Sequence, residues 1–413
     1  MESLSPLLGK VLPAPELEKS ELALLAEAEA VISEQLAPLA ISNDQRGRYP
    51  TESMACLRHT PLFKLAVPKS LGGYGVSHAC SLEAQLRLAM VDCSVAQLFK
   101  VHDELVREIF AYCPEFQQAR LANSILNENH VLGLAVAEAG RSAVEPLNTR
   151  AIAQADGSFV VTGSKIYTTA AAEADQIATW GFNPAAATEE NPVLGMQLLL
   201  IPKGTPGVDI QRDWNALGQR ATDSGSIQFN EVVCPPEWVA SVPGKAPLIH
   251  SSLRYQAGFS ALLVGMGLGA IAAALPFIQE KSRPWAATGV DQAVNDPFIR
   301  RNIGKYVADL TNAYALVQRC GRLLDSFERG EIDRGQLAMP ISAAKVAANE
   351  SALAATSAIH GLMGTRSVAG KQPFDYWWRN ARTLSLHDPV EWKMHEIGRH
   401  LLTGWEPEPG IYQ

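Results

Sequence analysis

The sequence predicts an α+β fold with its strands confined to the middle of the chain, and three observations carry that prediction. Leucine and alanine recur at helical spacing up to about residue 127. Short β-branched runs, punctuated by Gly, Asn, Pro and Asp, fill the span from Val131 to Val239. Long alanine- and leucine-rich segments then return from about residue 250. The change of texture divides the chain into an N-terminal all-helical domain (1–130), a middle β domain of barrel or sandwich type (131–245) and a C-terminal helical bundle domain (246–413).

The elements follow in order. Residues 16–38 place leucine and alanine against glutamate at helical spacing and predict the first helix, and a second follows Pro50. Val67-Pro68-Lys69-Ser70-Leu71-Gly72-Gly73-Tyr74-Gly75-Val76 is a loop. From Ser81 to Tyr112 the pattern is helical in two pieces joined near Asp92-Cys93-Ser94, and Pro114 opens a helix to about Asn127. In the middle, the runs VVTGSKIYTT, MQLLLIP and SGSIQFNEVV read as strands, and Val242 to Pro247 as a linker. Helical segments return over about 250–282, 296–329, 337–363 and 390–403. Overlapping the last, Tyr376 to Lys393 carries four aromatic residues (Tyr376, Trp377, Trp378 and Trp392), two arginines and a His387-Asp388-Pro389 break. Pro389 disfavours the α region for Asp388 and lacks a donor, so a helix should end near Leu386 and another begin around Val390.

Composition bounds the function. The chain has 413 residues, 47% hydrophobic and 19% charged, which argues for a soluble globular protein with a sizeable core. A formal net charge of -8 without a basic run argues against nucleic acid as a partner. The six cysteines lack metal-ligand or CxxC spacing and read as reduced thiols of a cytoplasmic protein. Residues 1–15 lack the pattern of a signal peptide, and the apolar stretch Ala257 to Ile278 suits a buried helix better than a membrane span. No Gly-x-Gly-x-x-Gly unit follows a strand, so a built-in nicotinamide domain is not expected.

The order of domains, together with VPKSLGGYGV, LAVAEAG at 134–140, VTGSKIYTTAAAEAD at 161–175 and LGQRATDSGSIQFNEVVCP, resembles the acyl-CoA dehydrogenase superfamily. The resemblance covers nearly the whole chain and implies a helical domain, a β domain and a C-terminal four-helix bundle around a flavin. Its dehydrogenases use a glutamate in a Tyr-Glu-Gly-Thr context to remove a proton α to a thioester. Here Leu386-His387-Asp388-Pro389 stands in that place. With Trp378-Arg379-Asn380-Ala381-Arg382, Ser282-Arg283-Pro284-Trp285 and Asp213-Trp214 followed by Leu217-Gly218-Gln219-Arg220, it resembles the reduced-flavin-dependent monooxygenase branch, of dibenzothiophene monooxygenase and sulfur-acquisition type. One departure is Leu384, where that branch commonly carries a second histidine.

The resemblance implies reduced, diffusible FMN (FAD as the alternative) supplied by a separate NAD(P)H-dependent flavin reductase. It implies O2 adding at the flavin C4a, oxygen transfer from the hydroperoxide to a small sulfur, nitrogen or aromatic centre, and a homo-oligomer, dimer or tetramer. It makes His102, His387 and Thr169 candidates for catalysis, His387 as the group that holds and supplies a proton. Leu134, Val136, Ala137, Tyr167 and Thr169 would meet the flavin ring, and Arg283, Gly364 and Arg366 its phosphate. The trp-rich segment around Phe374, Trp377 and Trp378, with Leu98, would wall the cavity. Simpler readings stand beside these: an exposed His102, a helix-capping His387, ordinary strand residues at 167 and 169, and surface ion pairs for both arginines. Asp388 would either orient His387 or cap the Val390 helix, and the cap is the simpler reading. Two alternatives in function are an FAD-dependent acyl-CoA dehydrogenase with Asp388 as base and a non-catalytic flavin-binding protein.

Overall fold

The structure, a computed structural model, describes residues 6–140, 147–242 and 248–409. Of the segment read as a linker, Pro243 to Pro247 lie outside the described residues, as do Met1 to Ser5. The N-terminal domain runs through α1 (Pro6–Gly9), α2 (Lys19–Val31), α3 (Ala40–Arg46) and α4 (Thr51–Arg58). The helix expected over 16–38 is α2 extended by a π-helical turn at Ile32–Leu36, and α3 was not foreseen. Then come α5 (His78–Ala89), α6 (Cys93–Tyr112) and α7 (Glu115–Leu126). The joint expected near Asp92 is a capped helix start: the Asp92 carboxylate accepts from the N–H groups of Ser94 and Val95 at 3.0 Å each. It also accepts from Asn43 Nδ2 at 3.0 Å, which ties α3 to the head of α6, and burial pushes its pKa up to about 6.

The middle domain is one curled sheet of β1 (Leu132–Ala135), β2 (Arg150–Ala153), β3 (Phe159–Lys165), β4 (Gln176–Phe182), β5 (Met196–Pro202), β6 (Val208–Gln211) and β7 (Ser226–Cys234). The order is β1-β4-β2-β3-β7-β6, with β5 antiparallel along β4. β1 runs parallel to β4 from Gln176 to Thr179, and β2 meets β4 at Phe182, so β1 and β2 share one edge of β4. β4 is buried on both faces. Ala178, Trp180 and Phe182 pack with Leu105 and Ile109 of α6, while Ile177 packs with Leu199 and Phe229 inside the curl. That double burial is why its sequence shows no alternation.

The C-terminal bundle comprises α8 (Ser251–Glu280), α9 (Pro297–Glu328), α10 (Arg334–Met363), α11 (Asp375–Ser385) and α12 (Val390–Thr403). The break at His387-Asp388-Pro389 falls where Pro389 requires it, with α11 ending at Ser385 and α12 starting at Val390. α8 is long and apolar enough to cross a membrane, yet most of it is buried inside the protein, as a core helix. α6 is buried along almost its whole length and joins the two halves, packing on the sheet through Leu105 and on the bundle through Leu98 and Phe99. All six cysteines are free thiols.

Candidate active site

The first half of the site lies where β1 ends. Leu134 N donates to Thr169 O at 3.0 Å and Ile166 N donates to Ala137 O at 2.9 Å, so two stretches far apart in sequence run side by side. The structure thereby brings together Leu134, Val136, Ala137, Tyr167 and Thr169. Leu134 and Val136 are half-buried, Ala137 and Tyr167 exposed, and the Tyr167 ring stands edge-on to Trp214 with centroids 6.1 Å apart. The result is an apolar ledge open to solvent. Lys165 clamps it from behind: its buried Nζ lies 2.6 Å from Glu138 Oε1 and donates to Val136 O at 3.3 Å. Burial alone would raise the Glu138 pKa, but the Lys165 partner outweighs it and the carboxylate is held low.

Thr169 lies just past β3 in a turn, rather than within the strand. Its hydroxyl is 3.0 Å from Ser224 Oγ, Ser224 donates to Thr222 Oγ1 at 2.8 Å, and Thr222 donates to Gln219 O at 2.8 Å. Non-glycine residues rarely adopt positive φ, because Cβ crowds the backbone. Tyr167 (φ 55°), Ala170 (φ 65°), Gln219 (φ 52°) and Asp223 (φ 46°) all do, and all flank this row of hydroxyls. Backbone strain collected in one place marks a functional region, since the surrounding structure must hold it.

Helix α11 supports the Gln219 loop. Gln219 N donates to Asn380 Oδ1 at 2.6 Å, and Arg379 Nη1 donates to Leu217 O at 3.0 Å. Arg379 is itself held by Asp44, with Nη2 donating to Oδ2 at 2.7 Å. Thus α3, α11 and the loop below Thr169 form one connected polar network.

The second half of the site lies at the α11–α12 break. The His387 ring tilts over Phe259 of α8, with centroids 4.1 Å apart, and Nδ1 is 3.3 Å from Asp388 Oδ1. Its side chain keeps 42% of its surface open, so one face is packed and the outer edge is reachable. Burial of that face, with the positive charges of Lys345 and Lys100, outweighs Asp388 and holds the imidazole below its ordinary pKa. Asp388 is not the cap of α12. Pro389 occupies the N-cap with no side-chain bond, and the Asp388 carboxylate turns inward, its Oδ1 3.3 Å from Lys345 Nζ. Leu384, the position of the family's second histidine, is buried in the core.

Two lysines that sequence reasoning passed over face the same phenyl ring. Lys100 Nζ lies 4.0 Å and Lys345 Nζ 4.7 Å from the Phe259 centroid, and neither side chain is exposed. A signal existed for Lys345: it stands in line with Ile341, Ala348 and Ala352 on the buried stripe of α10, where a lysine is out of place.

His102 has a different position from the one expected. It is fully buried, Leu132 N donates to Nδ1 at 3.1 Å, and Nε2 therefore carries the proton and donates to Phe63 O at 2.9 Å. Both nitrogens are committed to backbone, and burial pushes the pKa down to about 4. Nothing is left on the ring for a ligand. The expected walls differ too: Leu98 and Trp377 are buried, and Phe374 packs edge-on to Phe277. Trp378 instead borders a cavity of about 570 Å³ with Tyr306, Leu353, Ser357 and Arg382.

Residues 18–129, 133–232 and 257–392 match, in order, the N-terminal, middle and C-terminal domains of acyl-CoA dehydrogenase. Dibenzothiophene monooxygenase of Mycolicibacterium goodii is 31% identical over 386 residues, 90% of this chain and 92% of that protein. The chain belongs to the acyl-CoA dehydrogenase family, in its monooxygenase branch. Among solved structures, FMN-bound TdsC of Paenibacillus sp. A11-2 superposes with a TM-score of 0.87 at 28% identity, covering 95% of this chain and 100% of that one. Methanesulfinate monooxygenase MsuC of Pseudomonas fluorescens follows with a TM-score of 0.84 at 27% identity, covering 94% and 99%.

For a member of this family the remaining candidates are Arg283, Gly364 and Arg366. Both arginines are exposed and share one corner of the bundle, because the ends of α8 and α10 are tied there: Ser282 Oγ donates to Met363 O at 3.0 Å and Arg366 donates to Lys281 O. Gly364 was expected to allow a close backbone approach. A β-carbon there would meet no protein atom within 4 Å, and the conformation at the end of α10, φ 80° and ψ -178°, itself favours glycine.

Proposed function

We propose that this protein is a monooxygenase that uses reduced FMN and O2 to oxygenate a small substrate. One observation carries the reading: Asp388, the carboxylate nearest the place of the dehydrogenase base, is buried and pinned between Lys345 and His387, each at 3.3 Å. A base that strips a carbon acid needs a reachable carboxylate with its pKa raised toward neutrality. Burial would raise that of Asp388, but His387 and Lys345 outweigh it and hold it well below the ordinary carboxylate range. Asp388 is therefore unsuited to serve the dehydrogenase alternative as its base.

The residues present fit a flavin. The ledge of Leu134, Val136 and Tyr167 is apolar and partly open, as an isoalloxazine face requires, and Thr169 offers its polar edge a hydroxyl backed by Ser224. Arg283 and Arg366 supply charge for a phosphate. When bound, reduced FMN supplies the activation of dioxygen. The chain's own work is then to hold and move a proton and to keep water away from the reacting atoms. His387 is assigned the proton transfer, which passes through its bare Nε2, with Nδ1–H anchored on Asp388. Thr169 positions the ring edge, and His102 serves as a structural clamp between α6 and β1. Reducing equivalents come from a separate NAD(P)H-dependent flavin reductase, and the working form is a homo-oligomer.

The relatives indicate the range of substrates: dibenzothiophene for one, methanesulfinate for another, and indole bound with FMN in TdsC. A small organosulfur compound or nitrogen heterocycle fits that range. The test supplies photoreduced FMN and isotopically heavy O2 to the protein with a panel of organosulfur compounds and indoles. One heavy oxygen atom is expected in the product, and His387→Ala should retain FMN binding while diverting oxygen to hydrogen peroxide. Bleaching of FAD-loaded protein by an acyl-CoA, with no labelled product from any compound, would overturn the reading.

A further inference from the structure

We propose that Lys345 is a positioning residue for His387: by neutralising Asp388 it keeps the imidazole uncharged, with its proton on Nδ1 and its basic nitrogen, Nε2, at the far edge of the ring. The proposal rests on His387 being the group that handles the proton, and it names a residue outside the site that the family resemblance outlined.

Lys345 lies in the middle of α10 with no exposed surface, and its Nζ makes no well-directed hydrogen bond. A buried ammonium is costly unless a counter-charge stands beside it. Here the partner is Asp388, whose Oδ1 is 3.3 Å from Lys345 Nζ and 3.3 Å from His387 Nδ1. One carboxylate oxygen is thus shared by a lysine ammonium and an imidazole. With His387 alone, a buried aspartate would draw a second proton onto the ring and form an ordinary ion pair. With Lys345 present, that demand is already met. The carboxylate still accepts from Nδ1–H, which fixes the tautomer, but it no longer requires an imidazolium.

The other charges packed around the ring act in the same sense, Lys100 on His387 and Lys393 on Asp388, from farther away than Lys345. Lys100 of α6 stands over Phe259 with Glu104 as its main counter-charge, and Arg254 of α8 is paired with Glu104 at 2.9 Å and Glu108 at 2.5 Å. Lys393 of α12 lies 3.5 Å from Glu396. Lys100 and Arg254 share Glu104, and Asp388, held by Lys345, is the carboxylate within 3.3 Å of the His387 ring. Loss of Lys345 should raise the proton affinity of His387, whereas loss of the Asp388 charge should lower it. A purely structural salt bridge predicts no such opposed pair of shifts.

The test is nitrogen NMR of histidine-labelled protein without flavin, with His387→Gln assigning the signals. At neutral pH the wild type should show a neutral His387 with the proton on Nδ1. Lys345→Met should raise its proton affinity about tenfold or more, which is about one pKa unit. Asp388→Asn should lower it and mix the tautomers. A folded Lys345→Met protein with unchanged His387 titration would overturn the proposal. Should that variant not fold, Lys345→Met/Asp388→Asn removes both charges together, and retention of a single Nδ1–H tautomer there would overturn it equally. In turnover, the acid limb of the pH profile should move with the NMR titration. If the NMR pattern holds while the wild type oxygenates nothing, the fault lies in the functional reading and not in the relay.

Discussion

Gly218 lies so close to Arg379 that a β-carbon built on it would stop 2.1 Å from the Arg379 carbonyl oxygen. The loop that carries Gln219, Thr222 and Ser224 thus touches α11 backbone to backbone. Gly218→Ala forces the two apart by an ångström or so and breaks the Gln219–Asn380 bond. It should cost about 1–3 kcal/mol in stability, as overpacking does, and weaken FMN binding measured by fluorescence quenching. Unaltered FMN affinity would detach this loop from the flavin.

The row of hydroxyls gives a smaller effect. Thr169→Val keeps shape and removes one hydroxyl, leaving Ser224 without that partner. A lost hydrogen bond is worth about 0.5–1.5 kcal/mol, so reduced FMN should bind about two- to tenfold more weakly. Calorimetry under anaerobic conditions would measure it.

The buried Lys165–Glu138 pair, 2.6 Å apart, holds the segment that follows β1. Removing one partner leaves a buried charge uncompensated, so Lys165→Met should destabilise by about 3–5 kcal/mol in urea unfolding. Lys165→Met/Glu138→Gln should recover part of that loss, since no naked charge remains.

His102 makes stability depend on pH in a definite direction. In the unfolded chain it takes a proton below about 6.5, whereas in the fold it stays neutral down to about 4. The unfolded state therefore binds more protons in that window. The contribution of His102 is complete above about pH 6.5 and is lost as pH falls toward 4, by about 3 kcal/mol in all. Thermal unfolding between pH 7 and 4 should show a shallower slope in His102→Gln, at lower overall stability.

Arg283 and Arg366 share an exposed corner, where a surface ion pair would leave flavin binding untouched. As phosphate ligands they discriminate FMN from riboflavin. Arg283→Ala and Arg366→Ala should each weaken FMN about tenfold or more while leaving riboflavin affinity nearly unchanged. Equal losses for both flavins would remove the arginines from the phosphate site.

What the sequence disclosed was largely local. Pro389 stops a helix through its own ring, and Asp92 caps one through atoms two and three residues away, so both junctions could be read directly. The ledge residues were found only through family register, because Thr and Tyr suit any strand and the turn around Thr169 is set by Gly225 and Thr222 across the sheet. The inward turn of Asp388 is not legible locally, because its partner, Lys345, is far away in sequence and announces itself only as a lysine on the buried stripe of α10. His102 was misjudged for a related reason: its partners are main-chain groups of Phe63 and Leu132, which no side-chain motif announces.

Helix α6 is fastened to the sheet at His102 and faces the bundle at Lys100, two residues apart on one rigid rod. A clamshell motion of the two domains would have to tear one of these attachments from the interior. The enzyme is therefore built as a fixed frame, and dryness around the reacting atoms has to come from the reactants that settle on the open ledge.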